Sequence, residues 1–147
     1  MRTILLAVLL GLGSIAYAAE GLVTVASKHD VKTTTDKLES VVKAKGMKVF
    51  IRVDHAAGAA SVGAKLRPTE LLVFGNPKLG SALMNCAQTT GIDLPMKALI
   101  YEDDQGRVQL SYNDPAYLKS RHQMNGCDKP IGKASGALAN FAKAATE

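Results

Sequence analysis

Two adjacent residues, Asp54 and His55, form the pair in this sequence best suited to acid–base chemistry. They follow the alternating stretch 47–53, which predicts a strand that delivers both side chains at its C-terminal end. A carboxylate that orients an imidazole can make a general base, and both groups also bind metals. More often, such a pair simply caps or terminates a strand. The sequence leaves these three roles open.

Arg67 precedes the apolar run 71–74 and is a second residue whose side chain could bind a ligand. Its guanidinium could hold a carboxylate or phosphate through two parallel hydrogen bonds. It could instead form a structural salt bridge with Glu70. The residue types favour neither role.

Asn76 follows the same run, between Gly75 and Pro77. Backbone N–H groups at a helix start attract anions, although a plain strand-to-helix turn explains these residues equally well. A strand of usual length spans about 17–20 Å, so one small ligand cannot touch both Arg67 and Asn76. We expect Asn76 to group with Asp54 and His55 if their two strands run parallel.

Further polar residues lie at predicted strand ends or in adjacent loops. The complete candidate ligand-binding set is Asp54, His55, Arg67, Asn76, Asp93, Glu102 and Asn113. His55 and His122 are the candidate metal ligands, and methionines elsewhere in the chain are compatible with copper. No paired-ligand spacing, nucleophile elbow, phosphate-binding loop or dinucleotide fingerprint occurs. The sequence therefore predicts no cofactor and leaves a metal open.

Residues 1–18 have the pattern of a secretory signal peptide. Arg2 precedes a mostly apolar run, and Ala16-Tyr17-Ala18 is a small-residue cleavage site. The run is shorter than the roughly 20 residues that a membrane-spanning helix needs. We expect cleavage after Ala18, a periplasmic or secreted protein, and no stable membrane insertion afterwards; an uncleaved anchor is the alternative.

The charge distribution argues against nucleic acid as a partner. The chain of 147 residues has 18 basic and 13 acidic residues, with four Tyr, three Phe and no Trp. The lysines are scattered rather than clustered among aromatic residues, as a nucleic-acid surface would require. The two cysteines, Cys86 and Cys127, predict one disulfide in an exported protein, with a pair of soft metal ligands as the alternative.

Periodicity predicts one α+β domain over residues 19–130, followed by an amphipathic helix over 131–147. The element order favours a two-layer sandwich in which a small mixed or antiparallel sheet of about five strands packs against helices. The apolar seam of the last helix contains Ile131, Ala134, Leu138, Phe141 and Ala145. That seam can dock on its own sheet or on a second copy of the chain.

Three stretches, "RVDHAAGA", "LRPTELLVFGNPKLGSALM" and "GIDLPMKALIYEDDQGRVQLSYNDPAYLKSRH", together resemble the family called domain of unknown function 302. The resemblance runs from about Lys28 to His122 and leaves out the leader and the segment after Pro130, and both cysteines lie outside its motif letters. It implies a compact α+β fold that is often dimeric, with no established reaction. The motif positions it carries over are Asp54, His55, Arg67, Asn76, Pro77, Asp93, Pro95, Glu102, Asp103, Asn113 and Pro115.

These observations favour an exported, non-catalytic binding module that takes a small polar or anionic ligand, or a metal, near His55 and Asn76. One alternative is an enzyme that uses Asp54 and His55 as an acid–base pair. The other is a structural or interaction protein that forms a homodimer through its C-terminal helix.

Overall fold

The structure, a computed structural model, describes residues 19–147. The predicted signal peptide, residues 1–18, lies outside the described residues. The elements are β1 Leu22–Ala26, α1 Val31–Ala44, β2 Lys48–Asp54, α2 His55–Ser61, β3 Thr69–Gly75, α3 Pro77–Cys86, a 3-10 helix Gln88–Ile92, β4 Met96–Glu102, β5 Val108–Asn113, α4 Pro115–Arg121 and α5 Asp128–Thr146.

The five strands form one sheet in the order β1-β5-β4-β3-β2. Every neighbouring pair is antiparallel, which confirms the predicted α+β class and makes the sheet antiparallel rather than mixed. In the β2–β3 pair, Asp54 lies opposite Glu70 and Lys48 opposite Gly75. The C-terminal ends of β2 and β3 therefore lie at opposite ends of the sheet.

Strand β2 is an edge strand with an irregular ladder. Its register on β3 shifts between Val49 and Ile51, so that Phe50 is the extra residue of a β-bulge. Phe50 and Ile51 are both exposed. The bulge places Phe50 beside the C-terminal end of β3, where its ring lies 3.5 Å from the position that a side chain on Gly75 would take.

One face of the sheet packs against α1 and α5, which gives the predicted two layers. Alternate residues of the central strands, among them Leu72, Ile100 and Leu110, are fully buried against Leu38 and Val42 of α1. This period of two along the strands is what places one apolar face inside.

The apolar seam of α5 belongs to this core. All five predicted seam residues are buried: Ile131, Ala134, Leu138, Phe141 and Ala145. The helix begins at Asp128, three residues before the predicted start, and packs against α1, α3 and α4 and the edge strand β1. The seam is therefore covered by its own chain, which is one of the two predicted alternatives, and a homodimer stays a prediction. A homodimer would need another surface.

Side chains cap the N-terminal ends of α1 and α4. Asp30 accepts the N–H of Thr33 at the start of α1, and Asp114 accepts the N–H of Ala116 at the start of α4. Gly46 follows α1 at a φ of +73°, the left-handed conformation that glycine adopts without steric cost. The stretch between α3 and β4 forms the 3-10 helix Gln88–Ile92. Within residues 19–147 we find no helix whose length and hydropathy would let it span a membrane.

Candidate functional site

A cavity of about 320 Å³ lies between α3, α5 and the end of the sheet where β3 finishes and β4 begins. This volume falls in the range typical of small-molecule sites. Its lining is almost wholly apolar. The apolar side chains are Met47, Phe50, Phe74, Pro77, Leu79, Leu83, Met84, Leu94, Pro95, Met96, Ala134, Ala137, Leu138 and Phe141.

The cavity exists because small residues occupy the facing sides of the two helices. Gly80 on α3 and Ala134 and Ala137 on α5 line it, so neither helix fills the space between them. A Cβ atom on Gly80 would approach Leu94 Cδ1 at 3.9 Å, which means that larger side chains there would extend into the cavity. Three methionines also line it, and their unbranched side chains adapt to guests of different shape.

Exposed lining residues, Phe50 and Met84 among them, mark the mouth of the cavity. Phe50 is 47% exposed and Met84 is 37% exposed, although both belong to the cavity wall. The ammonium group of Lys48 lies 5.2 Å from the centre of the Phe50 ring, within the distance for a cation–π contact. Apolar side chains thus lie at the mouth, with the ammonium group of Lys48 beside them.

Asn76 lines this cavity, yet its amide is used in capping. The side-chain oxygen accepts the N–H of Lys78 at 2.9 Å, and the amide nitrogen lies 3.5 Å from the carbonyl oxygen of Gly46. Pro77 has no N–H to offer. The structure places Asn76 at the edge of an apolar cavity, with its amide engaged in capping; the anion site expected there stays a prediction.

The predicted site residues divide between the two ends of the sheet. Asn76 and Asp93 lie at the end where β3 finishes and β4 begins, together with Asn113 at the end of β5 and His122, which contacts Asp93. The other end carries Asp54, His55, Arg67 and Glu102. The expected grouping of Asn76 with Asp54 and His55 is wrong because β2 and β3 are antiparallel, which separates the groups by about 20 Å over a seven-residue strand.

Asp54 serves as the N-cap of α2. Its carboxylate accepts the N–H of Ala57 at 2.8 Å, so the carboxylate points along the chain rather than at the neighbouring imidazole. His55 is the first residue of α2 and is exposed. Within the described chain the two side chains share no hydrogen bond, so the geometry gives no support to an acid–base pair at this position.

Arg67 donates to the carbonyl oxygen of Glu102 at 3.0 Å, and the considered salt bridge with Glu70 is absent from the part of the chain that the structure describes. Glu70 instead pairs with Arg52, whose guanidinium lies 2.5 Å from both Glu70 Oε2 and Asp36 Oδ1. Hydrogen bonds from Arg52 lower the pKa of Asp36, with a smaller contribution from Lys32. This network joins the edge strand β2 to α1 and is structural.

A His–carboxylate pair does exist, at Asp93 and His122. His122 Nε2 lies 2.5 Å from Asp93 Oδ2, and the other carboxylate oxygen receives Arg121 at 3.3 Å. The second ring nitrogen, Nδ1, lies 3.0 Å from the hydroxyl of Thr89. We call Thr89, Asp93 and His122 the Thr–His–Asp cluster. The sequence singled out Asp93 and His122 separately but missed both their contact and Thr89, because 29 residues separate the pair.

The structure pairs Cys86 with Cys127 in a disulfide, with Cα atoms 6.2 Å apart. Cys86 ends α3 and Cys127 precedes α5, so the bond joins the two helices that wall the cavity. Among residues 19–147 no three His, Cys, Asp or Glu side chains come together as a metal site. His55 and His122 lie at opposite ends of the sheet and cannot share one ion.

Two Brucella proteins are similar to this chain in sequence. The chain is 51% identical over 104 residues to the fluoride-specific ion channel FluC 1 of Brucella suis biovar 1 (strain 1330), and equally identical to FluC 2 of Brucella melitensis biotype 1 (strain ATCC 23456 / CCUG 17765 / NCTC 10094 / 16M). These matches cover 71% of this chain but only 41% and 38% of the two relatives. The chain therefore spans about two fifths of the length of these relatives.

A solved structure and a family model address the fold. The crystal structure of an uncharacterised conserved DUF302 protein from Bacillus stearothermophilus superposes with a TM-score of 0.78 at 19% identity, and covers 88% of this chain and all of that one. The model of the domain of unknown function DUF302 matches residues 23–141. This span includes most of α5, which the motif comparison had left outside the resemblance. The chain therefore belongs to the DUF302 family.

Proposed function

We propose that this domain is an exported binding module that holds a small, mostly apolar molecule in the cavity between α3 and α5. The observation that carries the proposal is the cavity itself, because its walls offer apolar side chains from five separate segments of the chain. A well-formed apolar cavity with few polar groups is the usual form of a small-molecule site. We therefore propose an apolar ligand in place of the polar or anionic one expected from the sequence.

The mouth suggests which end of such a ligand remains outside. Phe50 and Met84 would contact its apolar body, and Lys48 stands beside Phe50 where an anionic end group would emerge. An exposed ion pair of this kind contributes about 0.2–1 kcal/mol, so the cation would adjust affinity rather than create it. We therefore expect ligands with a ring or hydrocarbon body, with or without an acidic end.

The export part of the proposal rests on the leader pattern of residues 1–18 and on the disulfide. A disulfide persists in oxidising compartments such as the periplasm and is rare in the cytosol. The location is tested by fractionating cells that express the full chain and measuring the mass of the mature protein. A protein retained in the cytosol with residues 1–18 attached would contradict it.

Fluorescence titration with anilinonaphthalene sulfonate tests the binding proposal, since this probe joins an apolar ring system to an anionic group. Ala137→Phe places a ring in the cavity from the wall of α5 and should lower the affinity at least tenfold. Ala139→Phe is the matched control, because Ala139 lies on the same helix, is exposed and does not line this cavity. Equal affinity in the two variants would refute binding in the cavity.

A second pair of measurements separates the two parts of the site. Lys48→Ala should weaken the sulfonated probe by up to about fivefold. It should leave unchanged the affinity of phenylnaphthylamine, the neutral analogue without the sulfonate. Loss of both affinities to the same extent would mean that Lys48 acts through the shape of the mouth rather than through its charge.

The FluC relatives suggest a second candidate function, as a domain that accompanies fluoride transport. The relatives' printed name concerns whole proteins about two and a half times as long as the matched region, and the cavity described here is apolar. Sodium fluoride, titrated into the domain with the sulfonated probe bound, distinguishes the two candidates. Displacement of the probe by fluoride, but not by chloride at equal ionic strength, would favour the second one.

A further inference from the structure

The Thr–His–Asp cluster has the hydrogen-bond order of a nucleophile, a base and an orienting carboxylate. An ionised Asp93 can only accept hydrogen bonds, so its 2.5 Å contact requires the proton of His122 on Nε2. In the neutral imidazole Nδ1 is then the acceptor, and the hydroxyl of Thr89 donates to it at 3.0 Å. A hydroxyl that donates to an imidazole held by a carboxylate is the arrangement that activates serine and threonine nucleophiles.

Burial within the cluster matches these roles. The side chains of His122 and Asp93 are only 6% and 11% exposed, so the imidazole is held in one orientation. Thr89 is exposed at the protein surface, where a substrate can reach its hydroxyl. The elements fix this geometry: Thr89 and Asp93 come from the 3-10 helix and the residue that ends it, and His122 comes from the end of α4.

We propose that the Thr–His–Asp cluster hydrolyses carboxylic esters, with Thr89 as the nucleophile, His122 as the general base and Asp93 as the positioning residue. This activity goes beyond ligand binding and uses residues that do not line the cavity. Gly91 and Leu94, in the same segment as Thr89, do line it. That proximity favours esters of apolar acids, and this preference, unlike the reaction itself, rests on the proposed function.

The reaction balances without any further reactant than water. Thr89 Oγ bonds to the ester carbonyl carbon while its proton passes to His122 Nδ1. The tetrahedral intermediate then expels the alcohol oxygen, which takes that proton and leaves an acyl ester on Thr89. Water attacks this ester, gives a proton to Nδ1, and the carboxylic acid leaves as Thr89 Oγ regains the proton. Arg121 contacts the other oxygen of Asp93 at 3.3 Å and helps to hold this carboxylate in place.

A purely structural role for the cluster would require only the contact between His122 and Asp93. The pairing of His122 with Asp93 alone would attach α4 to the 3-10 helix, and the contact with Thr89 would then have no chemical consequence. The two roles differ in the reactivity of one hydroxyl. If the contact is only structural, the hydroxyl of Thr89 is as unreactive as that of any surface threonine. If His122 acts as a base, this hydroxyl reacts with electrophiles faster than the other threonine hydroxyls do.

An alkyl fluorophosphonate measures that reactivity on the mature, oxidised protein. Thr89 Oγ would bond to phosphorus, fluoride would leave, and peptide mass mapping would locate the adduct. We expect one adduct, on Thr89, which is lost in Thr89→Val and kept in Thr89→Ser. Thr33→Val is the matched control, since it removes an exposed hydroxyl from α1 and should label like the wild type. His122→Gln should slow the labelling at least about a hundredfold.

Several outcomes would overturn the proposal. They are the absence of an adduct on Thr89, equal labelling of Thr89 and Thr33, or an unchanged rate in His122→Gln. If His122→Gln fails to fold, Thr89→Ser and Thr89→Val still decide, because both changes lie at the surface and differ in the hydroxyl. The adduct on Thr89 is read by mass and probe binding by fluorescence, so the adduct would stand even if the binding proposal fails.

Discussion

Removal of the Cys86–Cys127 disulfide should cost the domain a large part of its stability. The bond closes a loop of 41 residues, and the chain-entropy relation gives about 4 kcal/mol for a loop of that length at 25 °C. A small domain has only about 5–15 kcal/mol of unfolding free energy in total. The double substitution Cys86→Ala/Cys127→Ala is therefore expected to leave a folded protein with a much reduced margin.

Urea unfolding followed by circular dichroism measures this loss. With a slope of about 2 kcal/mol per molar urea, the midpoint should fall by about 2 M. Unfolding in the presence of a reductant is the control. It should lower the midpoint of the wild type by the same amount and leave the midpoint of the double variant unchanged. A wild-type midpoint that ignores reductant, in a protein whose intact mass shows the bond to be formed, would refute the loop-entropy reasoning.

Two further features, at Gly21 and Asp103, yield predictions. Gly21 has a φ of +80°, and a Cβ atom there would lie 2.4 Å from Tyr117 Cγ. Gly21→Ala should lower the unfolding free energy by about 1–3 kcal/mol. The loss should be smaller in a Tyr117→Ala background, where only backbone strain remains. Equal losses in both backgrounds would show that the ring of Tyr117 is not the obstacle. At Asp103, partial burial raises the carboxyl pKa, but hydrogen bonds from Arg107, Gln109 and Gln105 outweigh it and lower the pKa from 3.8 to about 2. Because this pKa is depressed in the folded state, its stabilisation is present above about pH 4 and lost as pH falls toward 2. Asp103→Asn should therefore flatten the decline of urea midpoints over that interval, and a parallel decline would count against it.

Most of the fold could be predicted from local patterns. Alternation along 48–54 and 96–102, the caps at Asp30 and Asp114, and the glycine at 46 each act within a few residues. The apolar seam of α5 correctly identified the residues that are buried. The docking of α5 on its own sheet was one of two alternatives, and the packing against α1 decided it.

The candidate site could not be predicted in the same way because it depends on strand direction. The sequence does not state whether β2 and β3 run parallel, and the antiparallel pairing moves Asn76 away from Asp54 and His55. The pairing of Asp93 with His122 joins residues from separate elements and leaves no local signal. The cavity depends on small residues such as Gly80 and Ala137, which leave a space only because their helices face each other.

The bulge at Phe50 has a consequence for how this chain behaves beside other copies of itself. An edge strand with a regular ladder offers its free N–H and C=O groups as a template on which a second strand can add, and this is a route to aggregation. In β2 the shift between Val49 and Ile51 breaks that regular spacing, although both Phe50 and Ile51 are exposed and apolar. Phe50 at the cavity mouth is thus also the extra residue of the bulge, so this exposed apolar edge is a poor template for the addition of a second strand.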